Sequence, residues 1–402
     1  MTTVALRNAS VLIDRRFEAL DVIIETGIEH GAPTGRIVAL TEPGDAPIAD
    51  RVTDSVVDRV VDLSGRLLAP GFIDLQCNGA AGVDITTEPH RIAEVAAALP
   101  RFGVTAFLPT VVTAPSAARE AAIRALPAIR SAAGDGVAFP IGLHLEGPLI
   151  SPERLGAHPR RHVMSAAEAD VEIEGWIDSG CVAMVTLAPE LDGMVEVVAR
   201  LSDAGIIVSA GHTTVTPPQM AQAEAAGLRY VTHLFNAMTP FSHRDPGPIG
   251  AALTGDAVVG LICDGVHVDP VAVAMAWRAL GPSRTSLVSD AVAALGQPFG
   301  PIRLGEFTVH HDETGVRTAD GVLAGSSLAL DRAVRNLVAF TGCPLAEAIG
   351  TVTAVPADLL GIAERGRIAV GARADVVVLD HDGRLHETWI AGRPAWSAPA
   401  TG

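Results

Sequence analysis

Lysine is absent from this chain of 402 residues, so all 29 basic side chains are arginine. The absence excludes a Schiff-base lysine, the lysine of a phosphate-binding loop and a carboxylated lysine that bridges two metals. Aromatic residues are also scarce, at 4%, and the formal net charge is −17. Because nucleic acids and anionic membranes require clustered positive charge, and single strands also require aromatic stacking, we expect neither as a partner.

Paired cysteines and long apolar runs are missing as well. The four cysteines, Cys77, Cys181, Cys263 and Cys343, lie far apart without a C-x-x-C pair, which is typical of reduced, buried thiols in an intracellular protein. No stretch approaches the ~18 uninterrupted apolar residues of a membrane helix, and residues 1–7 lack the charged start and apolar core of a signal peptide. We therefore expect a cytoplasmic protein.

Short strands separated by turn residues occupy both ends of the chain. With 49% hydrophobic residues, the chain can bury a large core and favours one big domain with a smaller one. Neither end has enough strands for a sheet with its own core. We therefore predict that residues 1–66 and 361–402 pair into one small β-sandwich domain, which leaves 67–360 as the larger domain.

The middle of the chain alternates eight apolar strands with helical patterns. The first strand is predicted at Ala69 to Leu75, and one helix at Ser116 to Ala132. This order fits an α/β fold, a TIM-like (β/α)₈ barrel with its chemistry at the carboxyl ends of the strands. A doubly wound sheet is the alternative, but 78–82 lacks the G-x-G-x-x-G spacing that it would require. The pattern at residues 307–317 predicts a β-hairpin within the last crossover.

Four polar side chains follow four of these strands. His212 and His233 each come after an apolar run, as do Glu146 and Asp290. Two neutral imidazoles and one carboxylate suit Zn²⁺ with a position open for water, and a separate carboxylate can transfer protons. Each residue alone has a structural alternative, a hydrogen bond for a histidine or a turn cap for an acid. Their joint placement favours a metal-dependent hydrolase.

Six short segments carry most of these residues: PGFIDLQCNG at 70–79, HLEGP at 144–148, AGH at 210–212, THLFNAM at 232–238, DGVH at 264–267 and SDA at 289–291. In this order they resemble the N-acetylglucosamine-6-phosphate deacetylases of the amidohydrolase superfamily. The resemblance runs along nearly the whole chain and includes the split β-domain. It implies metal-dependent hydrolysis of the acetamide of N-acetyl-D-glucosamine 6-phosphate to glucosamine 6-phosphate and acetate.

The resemblance also implies a metal centre formed by Glu146, His212 and His233. Asp290 would take a proton from the attacking water and deliver it to the departing amine. Gln76-Cys77-Asn78 replaces the superfamily's usual His-x-His, and neither an amide nor an unperturbed thiol readily substitutes for imidazole on zinc. We therefore expect one divalent metal per subunit, zinc first, with Fe²⁺, Mn²⁺ or Co²⁺ as alternatives. Cys77 as a ligand is a residual alternative, since on a strand it points away from its two neighbours.

His158 is the second implied catalytic residue, and it would polarise the substrate carbonyl. A surface histidine is the alternative, and His162 lies close enough to make the correspondence ambiguous. Arg244 offers a planar fork for the phosphate, unless it forms a surface ion pair with Asp245. In relatives this arginine reaches the neighbouring subunit, which implies a homodimer. The other implied substrate contacts are Gln76, Asn78, Ala157, Asn236, Ala237, His267, Leu323 and Ser326.

Other readings stay open. Ser326 could instead cap the following helix. The substrate could be the galactosamine epimer, since one inverted hydroxyl separates the two sugars, or another N-acyl or cyclic amide. The chain could also be a catalytically dead scaffold, but a scaffold would be expected to have lost at least one of Glu146, His212, His233 and Asp290.

Overall fold

Five strands open the fold of the computed structural model, which describes residues 1–29, 32–43, 57–132, 134, 136–305 and 307–399. They are β1 (Thr2–Ile13), β2 (Arg16–Glu29), β3 (Ala32–Thr41), β4 (Arg59–Asp62) and β5 (Leu67–Pro70). β1, β2 and β3 pair antiparallel, whereas β4 and β5 run parallel to β1. β1 is interrupted by a bulge between Leu6 and Ala9, where Asn8 adopts a φ of 61°.

Alternating strands and helices follow from residue 72 onwards. The strands are β6 (Phe72–Cys77), β7 (Gly79–Ala80), β8 (Val83–Asp84), β9 (Val104–Val112), β10 (Phe139–Pro140), β11 (Leu143–Glu146), β12 (Val182–Leu187), β13 (Ile207–Ala210), β14 (Leu228–Val231), β15 (Val258–Leu261) and β16 (Thr285–Leu287). The helices are α1 (Ile92–Ala98), α2 (Ser116–Ala132), α3 (Ala166–Ser179), α4 (Met194–Asp203), α5 (Pro217–Ala225), α6 (Gly247–Thr254), α7 (Pro270–Arg284), α8 (Leu330–Thr341), α9 (Leu345–Gly350) and α10 (Ala354–Leu360).

Eight of these strands form a parallel barrel in the order β6, β9, β11, β12, β13, β14, β15, β16. A bridge between Cys77 and Ala291 connects the end of the first strand to the segment after the last. Every residue of β6 and β11 is buried, as expected for strands covered on both faces. The predicted (β/α)₈ barrel is confirmed.

The predicted first barrel strand, Ala69 to Leu75, divides between two sheets. β5 belongs to the terminal sheet and β6 to the barrel, with Gly71 between them. A Cβ at Gly71 would lie 2.2 Å from Thr105 Oγ1, so the chain can pass this point only without a side chain. The division fixes where the barrel begins.

The C-terminal part adds an insert and completes the terminal sheet. The insert consists of the antiparallel strands β17 (Gly300–Leu304), β18 (Phe307–Asp312) and β19 (Gly315–Arg317), so it is one strand larger than the predicted hairpin. The last strands are β20 (Val376–Leu379), β21 (Leu385–Ile390) and β22 (Arg393–Ser397). β20 pairs antiparallel with β5, so both chain ends form one eight-stranded sheet, as the predicted fold class requires. The predicted domain limits, 1–66 with 361–402, stay a prediction.

Local signals explain how the barrel presents its histidines. Thr216 and Gln219 form a capping box at the start of α5, which begins with Pro217. This helix returns the chain from the end of β13 to the start of β14, and His212 and His233 follow those two strands. Both imidazoles therefore lie at the carboxyl end of the barrel. No helix in the described ranges is long and apolar enough to cross a membrane.

Candidate metal centre and active site

Three buried side chains meet at the carboxyl ends of β11, β13 and β14. Glu146 Oε1 lies 2.8 Å from His233 Nε2 and 3.3 Å from His212 Nε2, and the two imidazole nitrogens are 3.1 Å apart. One ligand atom from each residue lies within 4.8 Å of the other two. Two zinc–nitrogen bonds of about 2.0–2.1 Å at a tetrahedral angle would separate the two nitrogens by about 3.3 Å. The arrangement therefore fits a divalent metal.

The tautomer of His212 also fits metal binding. His212 Nδ1 lies 2.9 Å from the main-chain carbonyl oxygen of Arg154. A carbonyl can only accept a hydrogen bond, so Nδ1 carries a proton, and Nε2 is the ring nitrogen that faces Glu146 and His233 and is left for a metal. Burial alone would raise the pKa of Glu146, but hydrogen bonds from the two histidines hold it well below its usual range.

The backbone is strained where these groups leave the barrel. His212, His233 and Asp290 have φ angles of 49°, 27° and 47°, and Phe235 and Ala237 lie at 79° and 50°. Side-chain-bearing residues rarely adopt this left-handed region, and such strain clusters at functional sites because surrounding contacts enforce it. For Asp290, those contacts include a hydrogen bond from its own N–H to the Gln76 carbonyl, at 3.0 Å.

Asp290 faces the cluster from the end of β16 through two amides. Asn78 Nδ2 donates to Asp290 Oδ1 at 2.7 Å. Gln76 Nε2 donates both to Asp290 Oδ1, at 3.1 Å, and to Glu146 Oε1, at 3.0 Å. Burial, together with the charge of Glu146, raises the pKa of Asp290 to about 6. The carboxylate is thus buried without a cationic side chain among its hydrogen-bond donors, which suits a group that exchanges protons near neutral pH.

His158 packs against the same cluster. Its ring centroid lies 4.3 Å from that of His212, and its Nε2 is 3.9 Å from Glu146 Oε2. Nδ1 lies 2.9 Å from the hydroxyl oxygen of Thr113. Burial, helped by the charge of His212, lowers the pKa of His158 to about 3, so the ring is neutral at physiological pH. His162 also lines the cavity.

The three clustered residues, Asp290 and His158 open into one cavity of about 690 Å³. Of the nine predicted substrate contacts, all within the described ranges, six line it: Asn78, Ala157, Asn236, Ala237, His267 and Leu323. Gln76, Arg244 and Ser326 do not. Gln76 lies beneath the cavity on the two carboxylates, and Ser326 donates to the Ser289 carbonyl at 2.5 Å. Arg244 lies on an exposed stretch, 241–245.

Sequence reasoning did not identify three groups that support the site. Thr113 contacts His158, the carbonyl of Arg154 contacts His212, and Asp264 Oδ2 lies 2.6 Å from His267 Nδ1. Asp264 belongs to the DGVH segment, so an acidic residue three positions before His267 could have indicated this contact. Arg154 contributes only main chain, and no side-chain pattern could have indicated it.

Comparison with known proteins agrees with this geometry. The model of the amidohydrolase family matches residues 67–395. The chain belongs to the amidohydrolase family. Within this family, the amidohydrolase is 40% identical over 363 residues to the human N-acetylglucosamine-6-phosphate deacetylase, covering 86% of this chain and 87% of the human one. The N-acetylgalactosamine-6-phosphate deacetylase of Escherichia coli O157:H7 is 37% identical over 355 residues, covering 87% and 93% of the two chains.

A solved structure extends the likeness of this amidohydrolase to the whole fold. It is a variant of N-acetyl-D-glucosamine-6-phosphate deacetylase from Mycobacterium smegmatis in complex with N-acetyl-D-glucosamine-6-phosphate. The TM-score is 0.85 and the sequence identity is 31%, over 99% of this chain and 100% of the other. The two proteins therefore share both the barrel and the terminal sheet.

Proposed function

We propose that this amidohydrolase hydrolyses the acetamide of N-acetyl-D-glucosamine 6-phosphate to glucosamine 6-phosphate and acetate. The observation that carries the proposal is the buried cluster of Glu146, His212 and His233, which opens with Asp290 into one cavity. The three cluster residues would hold one divalent metal, and zinc suits two imidazoles and a carboxylate with one open position, with Fe²⁺, Mn²⁺ or Co²⁺ as alternatives. A metal held there would polarise the carbonyl and lower the pKa of a bound water molecule.

Asp290 handles the proton in this proposal. Its ionised carboxylate, held by Gln76 and Asn78, accepts a proton from the attacking water and then delivers it to the amine nitrogen. The second transfer is required because an amine anion is a very poor leaving group. A carboxyl with a pKa of about 6 is ionised at neutral pH and acidic enough to return the proton.

His158 stabilises the carbonyl oxygen from the other side. Its ring is neutral, so polarisation requires the proton on Nε2, which lies on the side of Glu146. Nδ1 must then accept a hydrogen bond from the Thr113 hydroxyl. The Thr113 hydroxyl, which also lies 3.4 Å from the Glu146 carbonyl oxygen, can donate to Nδ1 in this tautomer, and Nε2–H is then free to donate to a developing oxyanion.

The sugar phosphate lies towards β14 and β15, where Asn236, Ala237 and His267 line the cavity. No arginine lines the cavity among the residues that the structure describes, yet a phosphate needs fixed positive donors. We therefore place Arg244 of a second subunit over the phosphate, in a homodimer. Arg244 is exposed, and Phe241 is 53% exposed. Both side chains are therefore available for such a contact.

The activity is tested by acetate release from metal-quantified protein. The phosphorylated gluco sugar, its galacto epimer and the unphosphorylated sugar form the substrate set. The epimer is included because the E. coli relative carries that name. We expect fastest release from the gluco phosphate; release from none of them, with metal bound, would contradict the proposal.

The dimer is tested by mixing two inactive variants, Arg244→Ala and Asp290→Asn, under conditions that exchange subunits. If Arg244 acts across the interface, a mixed dimer has one complete site. Random mixing then restores about one quarter of the sites. No recovery, with mixed dimers verified by mass, would place Arg244 in its own subunit's site or outside the reaction.

A further inference from the structure

The cavity extends beyond the reacting groups into an apolar space, here called the apolar annex. One of its walls consists of Val112, Ala114 and Ala118, from the end of β9 and the start of α2. The other consists of Leu304 and Phe307, from the insert, and of Val322, which follows the insert. Phe307 and Val322 are each 43% exposed although both are large apolar side chains. An amino-sugar phosphate is polar, so it does not account for this surface.

Buried polar contacts hold the first wall in place. Arg119 is 1% exposed, and its Nη1 donates to the Ala114 carbonyl at 2.6 Å. Its Nη2 lies 2.7 Å from Glu172 Oε2 on α3. A buried arginine paired in this way fixes the turn between β9 and α2, so the wall is formed before any ligand binds.

A second buried acid holds the opposite wall. The Gly305 N–H, between β17 and β18, donates to Asp84 Oδ2 at 2.6 Å. The Thr87 hydroxyl donates to the same oxygen at 3.0 Å, and the Thr86 N–H donates to Asp84 Oδ1 at 3.1 Å. The insert is therefore fastened to the loop after β8, and the annex keeps its width.

The geometry of an amide decides which part of the substrate enters the annex. An amide is planar and trans, so the acyl chain leaves the carbonyl carbon on the side opposite the sugar. The sugar lies towards Asn236 and His267, after β14 and β15. The acyl chain therefore points across the barrel to the loops after β6 and β9. Thr113, which contacts His158, lies there between Val112 and Ala114.

We propose that the apolar annex binds the acyl group of the substrate, and that the enzyme hydrolyses N-propanoyl, N-butanoyl and N-hexanoyl glucosamine 6-phosphates. This inference rests on the proposed deacetylation and uses the same chemistry. Water adds to the carbonyl carbon, the carbon–nitrogen bond breaks, and Asp290 passes the proton to the amine. The products are glucosamine 6-phosphate and the corresponding fatty acid.

Burial sets the size of the expected effect. Each methylene removed from water contributes about 0.8 kcal/mol, which is about fourfold in kcat/KM. We expect kcat/KM for the propanoyl and butanoyl sugars to equal or exceed that for the acetyl sugar, by up to about fifteenfold for two methylenes. A fall of about tenfold or more per added methylene would overturn the inference while leaving deacetylation intact. Failure to hydrolyse the acetyl sugar itself would instead refute the proposed function.

A matched pair of variants tests the location. Ala118 and Ala128 both lie on α2, but Ala118 lines the annex whereas Ala128 is exposed and does not line the cavity. Ala118→Phe should lower the butanoyl-to-acetyl ratio of kcat/KM at least about tenfold. Ala128→Phe, the control, should leave that ratio within about twofold, because it adds the same side chain outside the cavity. Equal ratios in both variants would place the acyl chain elsewhere.

Discussion

Two buried carboxylates in different regions of the molecule have contrasting environments. Asp290, at the barrel rim, accepts hydrogen bonds from two neutral amides and has a strained φ of 47°. Asp375, at the seam between the barrel and the terminal sheet, contacts the guanidinium groups of Arg365 and Arg373. It also accepts a hydrogen bond from the Ala391 N–H at 2.8 Å.

The difference separates a reactive carboxylate from a structural one. At the seam, Asp375 pairs with two guanidinium groups and holds neighbouring chain segments together. At the rim, burial without a cationic side chain raises the pKa of Asp290 to about 6, which keeps protonation within reach at physiological pH. The barrel rim thus carries groups whose arrangement costs stability, while contacts such as those of Asp375 offset that cost.

The largest effect is expected for Glu146→Gln at the rim. Replacing the carboxylate by a neutral amide leaves two imidazoles, which hold a divalent metal poorly. Metal content and acetate release should both fall to background, measured by elemental analysis and turnover. Full metal content in this variant would exclude Glu146 as a ligand.

Asp290→Asn should separate proton transfer from metal binding. The variant cannot accept the proton of water, so kcat should fall by about 10²–10⁴. Metal content should stay at the wild-type level, because Asp290 is not one of the three clustered ligands. Unchanged turnover would refute its assigned role and remove the contrast with Asp375.

A substitution at the seam should lower the stability of the protein without changing its turnover. Asp375→Asn leaves the buried Arg365, which is 7% exposed, without its charge partner. Such a loss costs about 3–5 kcal/mol of the free energy of unfolding, measured by urea denaturation. We expect kcat per folded molecule to stay within about twofold of wild type. A loss of kcat as large as that of Asp290→Asn would contradict the assignment of Asp375 as a structural residue.

The pH dependence of kcat/KM tests the protonation of Asp290 at the barrel rim. Asp290 must be ionised to accept a proton, and its pKa in the metal-free protein is raised to about 6. A bound cation lowers this pKa. The acidic limb of kcat/KM should therefore lie at or below about pH 6, falling tenfold per unit. Activity that rises on acidification through this range would contradict the proposal.

The smallest effect is expected for Thr113→Val, which removes the hydroxyl beside His158 Nδ1. Loss of one neutral hydrogen bond of about 1 kcal/mol predicts a roughly fivefold lower kcat, with KM and metal content unchanged. Thr113→Ser retains the hydroxyl and is the matched control. Equal losses in both variants would indicate that the methyl group matters and the hydroxyl does not.

Local patterns predicted much of the fold. The helix expected at Ser116 to Ala132 has those limits in the structure, and its buried residues Arg119, Ala122 and Leu126 recur at helical spacing although Pro127 lies inside it. β17 was not predicted. Its residues alternate between partly exposed and exposed, so none of them forms a buried face, and Pro301 interrupts the strand pattern. Its partner β18, rather than its own sequence, makes it a strand.

The sequence by itself determined the alternation of strands and helices and the positions of Glu146, His212, His233 and Asp290 at strand ends. These features depend on residue type and short-range periodicity. Only the tertiary structure decided which groups touch. Gln76 reaches Asp290 across 214 positions and His212 reaches the Arg154 carbonyl across 58. Such contacts arise from barrel closure and loop packing, and no local pattern encodes distances between residues so far apart in the chain.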